Sequence, residues 1–362
     1  MKMNYAILHT GQDPIRDRVE SELIVELKKH GYTPATMADK LKFILNFTRF
    51  DNPPAVHRKT HHEFVVSFAV LDREVSDLRY LCYNTLIQSL SNLVLCIQPD
   101  KDGGLMVHCI TPEVGFYHFP YSPGKVFDMI APIIQAHFAI ENRIRYDLPS
   151  EFAESPKVEQ LKRFGGVLDE LGVLPVPFSV KDVLSPENIQ HLYDLFFIKG
   201  LSYGNLSVRD HIPEVGPNTF WMTARGVDKA HLKGVGKDIL LVEGYDEATR
   251  EVLCRIPPGS DPEIRVSVDA VEHVLIYNNF PEVGAIVHVH AWMDGIISTA
   301  QNHPCGTIEL AREVSALLKM TPNPARAVIG LKNHGLTITG PSFEDIFARI
   351  EGKLIKEVRM TA

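Results

Sequence analysis

Two histidines, His288 and His290, stand two residues apart in VGAIVHVHAW, and a third, His334, sits in LKNHGLTITG. The first run has strand character, and strand side chains alternate faces, so both imidazoles point the same way. Two such rings can meet one ion at the Zn–N distance of about 2.0–2.1 Å. A histidine pair alone equally suits a strand with two hydrogen-bonded rings. His334 shifts the balance. It follows the strand-like ARAVIGLK and precedes Gly335, where backbones can approach closely. Three neutral imidazoles and one open position form the pattern of a catalytic rather than a structural zinc.

A carboxylate lies upstream, in Ser267-Val268-Asp269-Ala270-Val271-Glu272-His273. Ser267 is placed to cap a helix. Asp269, Glu272, His273 and Ile276 then share one face. Three polar groups on a face toward the core are unusual unless a site lies against them. Asp269 is expected at that site, as acid/base or as ligand. The competing reading makes it a first-turn charge that complements the helix dipole. Glu272 is read as a solvated helix residue. Elsewhere, His57-Arg58-Lys59-Thr60-His61-His62 is read as a solvated basic loop in preference to an anion site. No GxGxxG and no GxxxxGK[ST] occurs in the first half of the chain.

The elements that must position these groups fall into two parts. Residues 1–146 are expected to form an N-terminal α/β domain, 147–183 a linker with a connecting helix, and 184–362 the domain that carries the histidines. In the first part, YAILHT reads as a strand and Asp13 to His30 as a helix stopped by Gly31. A helix is expected over 35–47, a strand at FVVSFAVL, a helix over 77–90 and a hairpin around Asp102-Gly103-Gly104. A long helix, broken or kinked at Pro132, is expected over 126–144. In the second part a helix runs to about Lys199. Strands follow at FWMTARG, ILLVEG and VLCRI, then a helix over 267–278 and the strand GAIVHVHAW. The helix IELAREVSALL, the strand ARAVIGLK and a last helix from Pro341 close the order. The last helix should pack through Phe343, Phe347, Ile350 and Leu354.

The 362 residues are 45% hydrophobic and 23% charged, which suits a soluble protein of two domains. A net charge of -8 without a long basic run argues against nucleic acid or an acidic membrane as partner. No apolar run approaches 18 residues, and the opening stretch is too short in apolar residues for a signal peptide. Five dispersed cysteines, none in a CxxC pair, fit a reducing compartment, so a cytoplasmic location is expected.

Taken in order, GNLSVR, MTARG, SVDAVEHVLIY, VGAIVHVHAW and LKNHGLTITG resemble the class II aldolase/adducin family over roughly 184–362. The resemblance implies an α/β/α domain around a mainly antiparallel sheet. It implies one divalent metal per subunit on His288, His290 and His334, with Zn2+ ahead of Mn2+, Fe2+ or Co2+. The family's acidic residue falls on Asp269, where aldolase members usually have Glu and members resembling ribulose-phosphate 4-epimerase have Asp. A substrate-anion cradle is implied at Asn205, Ser207, Thr223, Gly226 and Ser267. Arg225 replaces a hydroxyl residue there, and arginine can clamp phosphate or carboxylate. The expected function is reversible aldol cleavage of a small anionic hydroxy-carbonyl compound, a sugar phosphate first, through a metal-stabilised enediolate. Sugar-phosphate 4-epimerisation, metal-dependent decarboxylation and a non-catalytic adducin-like scaffold are the alternatives. A homo-oligomer, a tetramer in the enzymes of the family, is implied as well.

Overall fold

In the computed structural model, residues 3–100, 102–113, 115–173, 183–197 and 203–362 are described. The chain divides into two compact units, Met1–Ala136 with Val180–Leu195 and Met360–Ala362, and His137–Ser179 with Phe196–Arg359. No described helix is long and apolar enough to cross a membrane.

The first unit is built on β1 (Met3–His9), α1 (Pro14–Lys29), β2 (Tyr32–Pro34), β3 (Phe43–Thr48), β4 (Phe64–Val70), α2 (Leu78–Gln88), β5 (Leu93–Pro99), β6 (Leu105–Ile110), β7 (Phe116–Pro120) and α3 (Pro123–Gln135). Its seven strands lie in the order β2-β1-β3-β4-β5-β6-β7. The first five are parallel, and β6 and β7 add an antiparallel margin. A parallel sheet covered by helices commonly binds ligands where its strand order reverses, here beyond the ends of β1 and β3. Arg16 occupies that place. Its Nη1 donates to the carbonyls of Thr10 (2.8 Å) and Thr48 (3.1 Å).

Three expectations for this unit change. The helix expected over 35–47 is replaced by β3 from Phe43, all six of whose residues are buried. A strand buried on both faces reads as a continuous apolar run, and FILNFT shows no alternation to reveal it. The helix expected over 126–144 runs through Pro132 but ends at Gln135. Residues 141–145 then form a strand of the other unit. The basic loop is not solvated throughout. Arg58 is buried and donates to the carbonyls of Leu90 (2.6 Å) and Glu63 (3.1 Å) and to Asn92 Oδ1 (2.7 Å).

The second unit holds β8 (Glu141–Arg145), α4 (Pro156–Glu170), β9 (Asn205–Arg209), β10 (Phe220–Thr223), β11 (Ile239–Asp246), β12 (Glu251–Arg255), α6 (Ala270–Asn279), β13 (Ala285–Val289), β14 (Ile297–Ser298), α7 (Ile308–Met320), β15 (Val328–Leu331), β16 (Gly335–Gly340) and α8 (Phe343–Ile350). Helix α5 (Pro186–Phe196) precedes β9, and all but its last residue groups with the first unit. The helix expected to reach Lys199 is described as far as Phe196; residues 198–202 lie outside the described residues. The nine strands run β14-β15-β16-β13-β9-β10-β11-β12-β8, antiparallel except at the two margins.

Strand alternation gives this sheet two cores. Leu206, Val208, Trp221, Val287 and Leu336 face α4 and α8, whose Leu161, Phe164, Phe343 and Ile346 complete one core. Phe220, Met222, Leu240 and Ile286 face α6 and α7, whose Val274, Tyr277, Leu310 and Val314 complete the other. The result is the expected α/β/α layering. The connecting helix expected within 147–183 is α4, and Val158, Leu161, Phe164 and Leu168 bury it in this unit. α8 stops at Ile350, so Leu354 packs from beyond the helix.

Candidate metal centre

The three histidines meet where β9, β13 and β16 end under α6. His288 lies in β13, directly between Asn205 of β9 and Thr337 of β16. His290 follows the end of the same strand. His334 is carried by the turn that joins β15 to β16, where Asn333 adopts a left-handed φ of 57°. Gly335 is needed because a Cβ there would stand 2.3 Å from the carbonyl oxygen of Val289. The turn thus rests on the end of β13 and brings His334 to the other two rings.

The ring centroids are 5.2 Å apart for His288–His290 and 4.9 Å for each of the pairs with His334. The rings stand nearly perpendicular to one another, with interplanar angles of 69° to 84°. One nitrogen from each ring lies within 4.8 Å of the others, and among the described residues this is the one such group. His288 Nδ1 donates to the Leu336 carbonyl at 3.0 Å, which leaves Nε2 with its lone pair. Nδ1 of both His290 and His334 is buried without a hydrogen-bond partner. Burial, reinforced by the neighbouring histidines, holds His290 well below the usual imidazole range and His334 at about 3. Converging rings with unused lone pairs are the donor set a transition metal takes, so these residues fit a divalent ion.

Asp269 stands at the N-terminus of α6, yet its side chain makes no capping bond. Its carboxylate accepts from Asn205 Nδ2 at 2.7 Å and from the Gly306 N–H at 3.2 Å. It is buried beside the histidines but outside their close group. The helix begins after Asp269, so the N-cap is Asp269 and not Ser267. Glu272, expected in solvent, is buried and accepts from Thr337 Oγ1 at 2.6 Å. Burial, with Asp269 nearby, pushes its carboxyl up to about 8. His273 completes the same face, its Nδ1 2.7 Å from Ser207 Oγ, which also lies 2.9 Å from Tyr277 Oη.

The residues expected to cradle an anion are placed differently. Asn205 serves Asp269, and Ser207 serves His273 and Tyr277. Thr223 is fully buried and its Oγ1 accepts from the Leu206 N–H. Ser267 lies across from it, with its N–H 3.2 Å from the Thr223 carbonyl. Gly226 turns the chain with φ 68°. The Arg225 guanidinium donates to the carbonyls of Phe196 and of Ile140, the latter at 2.9 Å. Its burial lowers it to about 10.

Two residues escaped the sequence reading. Lys229 is buried to 2% exposure in the turn after Gly226, and its charge acts on both Asp269 and His290. Burial lowers it to about 8. Tyr203 stacks on His290 with centroids 4.3 Å apart and planes at 22°. Neither belongs to a motif; the only cue for Tyr203 is its place two residues before Asn205.

Residues 188–300 match the family described as Class II Aldolase and Adducin N-terminal domain. That span holds Asp269, His288 and His290, while His334 lies beyond it. No curated protein matches the chain. Among solved structures, YgbL from Escherichia coli is similar at 17% identity over 53% of this chain and 82% of its own, with a TM-score of 0.34. The L-fuculose 1-phosphate aldolase from Glaciozyma antarctica PI12 is similar at 17% identity over 55% and 70%, again at 0.34.

Proposed function

We propose, from the class II aldolase/adducin domain to which residues 188–300 belong, that the protein is a metal-dependent carbon–carbon lyase for an anionic hydroxy-carbonyl compound. The observation that supports this reading is the convergence of three imidazoles, those of His288 and His334 buried and that of His290 partly buried, beside a buried carboxylate. His288, His290 and His334 would hold the ion, zinc first, one to each chain. A divalent ion there supplies Lewis acidity toward the carbonyl and hydroxyl oxygens of the substrate.

Asp269 is the group that moves the proton. Asn205 and the Gly306 N–H fix its carboxylate and leave it lone pairs to use. In cleavage it accepts the proton of the hydroxyl on the carbon that leaves as an aldehyde. The carbon–carbon electron pair stays on the other fragment, and the proton returns in the reverse direction. Lys229 and Arg225 add positive charge beside this path, which favours an anionic substrate. Because Asn205 is engaged with Asp269, Ser207 with His273 and Tyr277, and Arg225 with backbone carbonyls, a carboxylate is as well suited as a phosphate. That an aspartate rather than a glutamate stands at 269 favours a second reading, cleavage and re-addition to the opposite face, an epimerisation.

The test is to load the protein with Zn2+ and assay aldehyde release from hydroxy-ketones and hydroxy-acids, with and without phosphate. Stoichiometric metal and release from at least one class are expected. A protein that takes up no metal from supplemented medium would sink the reading in favour of an adducin-like scaffold. Assembly as a homo-oligomer and a cytoplasmic location belong to the same proposal.

A further inference from the structure

We infer that Tyr203 is a positioning residue for His290, and that its ring sets the orientation in which His290 offers a nitrogen to a metal. This rests on the proposed metal site. His288 lies in β13 and His290 just past its end, and the two are held differently. His288 is anchored from behind by the Leu336 carbonyl. His290 has a buried Nδ1 with no hydrogen-bond partner, so no such bond at that atom fixes the rotation of its ring. The described contact that can do so is the face of Tyr203, nearly parallel at 4.3 Å. Histidine ligands ordinarily owe their orientation to a hydrogen bond at the second nitrogen. At His290 the described hold on the ring is an aromatic face.

The tether strengthens the assignment. Gly204 follows Tyr203 with φ 71°, a left-handed turn. The next residue, Asn205, places its amide on Asp269. Three consecutive residues thus hold the ring of one expected ligand and the carboxylate of the expected acid/base.

The experiment is competition for Zn2+ between the full chain and a chromogenic chelator. Wild type is compared with Tyr203→Phe and Tyr203→Ala, each also in a His290→Ala background. Tyr203→Phe keeps the ring and should stay within about twofold of wild type, whereas Tyr203→Ala should bind about threefold to tenfold more weakly. In the His290→Ala background Tyr203→Ala should cause no further loss, because its effect passes through His290. Unchanged affinity in Tyr203→Ala overturns the inference. So does an equal loss in the His290→Ala background, which marks a general loosening. A loss in Tyr203→Phe as large as in Tyr203→Ala overturns it too, by assigning the effect to the hydroxyl. Should Tyr203→Ala lose its cooperative melt, Tyr203→Leu takes its place with the same expectation. A wild-type protein that does not compete for Zn2+ at all overturns the metal reading itself, and is told apart by that.

Discussion

Each unit of the chain contains a group of histidines, and the two groups are built for different ends. In the first unit His57 stacks on His191 at 4.5 Å and 24°, and His61 lies against His62 at 3.9 Å. The lone pairs of an imidazole lie in the ring plane. Rings stacked face to face therefore aim their nitrogens past one another. His57 Nε2 instead meets Asn188 Oδ1 at 2.8 Å. In the second unit the rings stand edge to face, at 69° to 84°, and their planes can converge on one point. Convergence of ring planes, rather than local abundance of histidine, distinguishes a ligand set. Strand alternation provides it for His288 and His290, and the close approach at Gly335 provides it for His334.

The most direct way to break this comparison is to remove one ring from each group. His290→Ala should leave only weaker binding by the two remaining histidines, so that the purified variant carries no stoichiometric zinc and no activity, while the domain keeps its melt through its two cores. His57→Ala should leave metal content unchanged. Elemental analysis of both purified variants decides the matter, and zinc lost from His57→Ala would refute the contrast. The next effect in size belongs to Asp269. Its carboxylate is fixed by Asn205 and Gly306 rather than by the imidazoles. Asp269→Asn should therefore retain zinc and lower kcat by roughly a hundredfold to ten-thousandfold. If zinc and kcat fall together, Asp269 is a ligand instead.

The same geometry explains which parts of the molecule were legible in the sequence. The His288–His290 spacing could be read because a strand has period two. His334 could be read because a glycine follows it. Helix α1 could be read because Asp13 caps it and Gly31 ends it. Strand β3 could not, since burial on both faces erases alternation. β8 was hidden because its register is set by a strand more than a hundred residues later in the chain. Glu272 was misjudged because a glutamate on a helix is ordinarily solvated; only the strand above it, through Thr337, reveals its burial. Lys229 shows no periodic or motif signal, and its place depends on the turn that follows Gly226.

A smaller effect separates Arg58, which is buried, from Arg225, which is partly buried. Both are lowered to about 10 by burial, and both donate to backbone carbonyls. Arg58→Met should cost the first unit about 2 kcal/mol, because charged hydrogen bonds to Leu90, Glu63 and Asn92 are lost together. Arg225→Met should cost the second unit a similar amount, but only Arg225→Met should also raise KM, by roughly tenfold or more. Denaturant melts and steady-state kinetics on the two variants check both halves. A KM that stays put in Arg225→Met would make it a purely structural residue like Arg58.

The smallest effect is local and depends on pH. Burial, followed by His57 and Arg58, holds His191 below the usual imidazole range, with Asp194 opposing. Its Nε2 is buried without a hydrogen-bond partner. A histidine whose folded pKa is depressed binds fewer protons folded than unfolded. Its contribution to stability is present above the ordinary imidazole range and is lost as pH falls through the folded value. Protonation would set a charged ring against His57 and the Arg58 guanidinium. Amides of α5 should then lose protection between pH 7.5 and pH 5.5, by less than about tenfold once intrinsic rates are divided out. His191→Phe keeps a ring for the stack and removes the titration, so its α5 protection should be nearly flat over that range. Hydrogen exchange followed by mass spectrometry reads both proteins. If wild type and His191→Phe lose protection with the same slope, the stacked pair is inert to pH, and the first unit's histidines do no more than fill space.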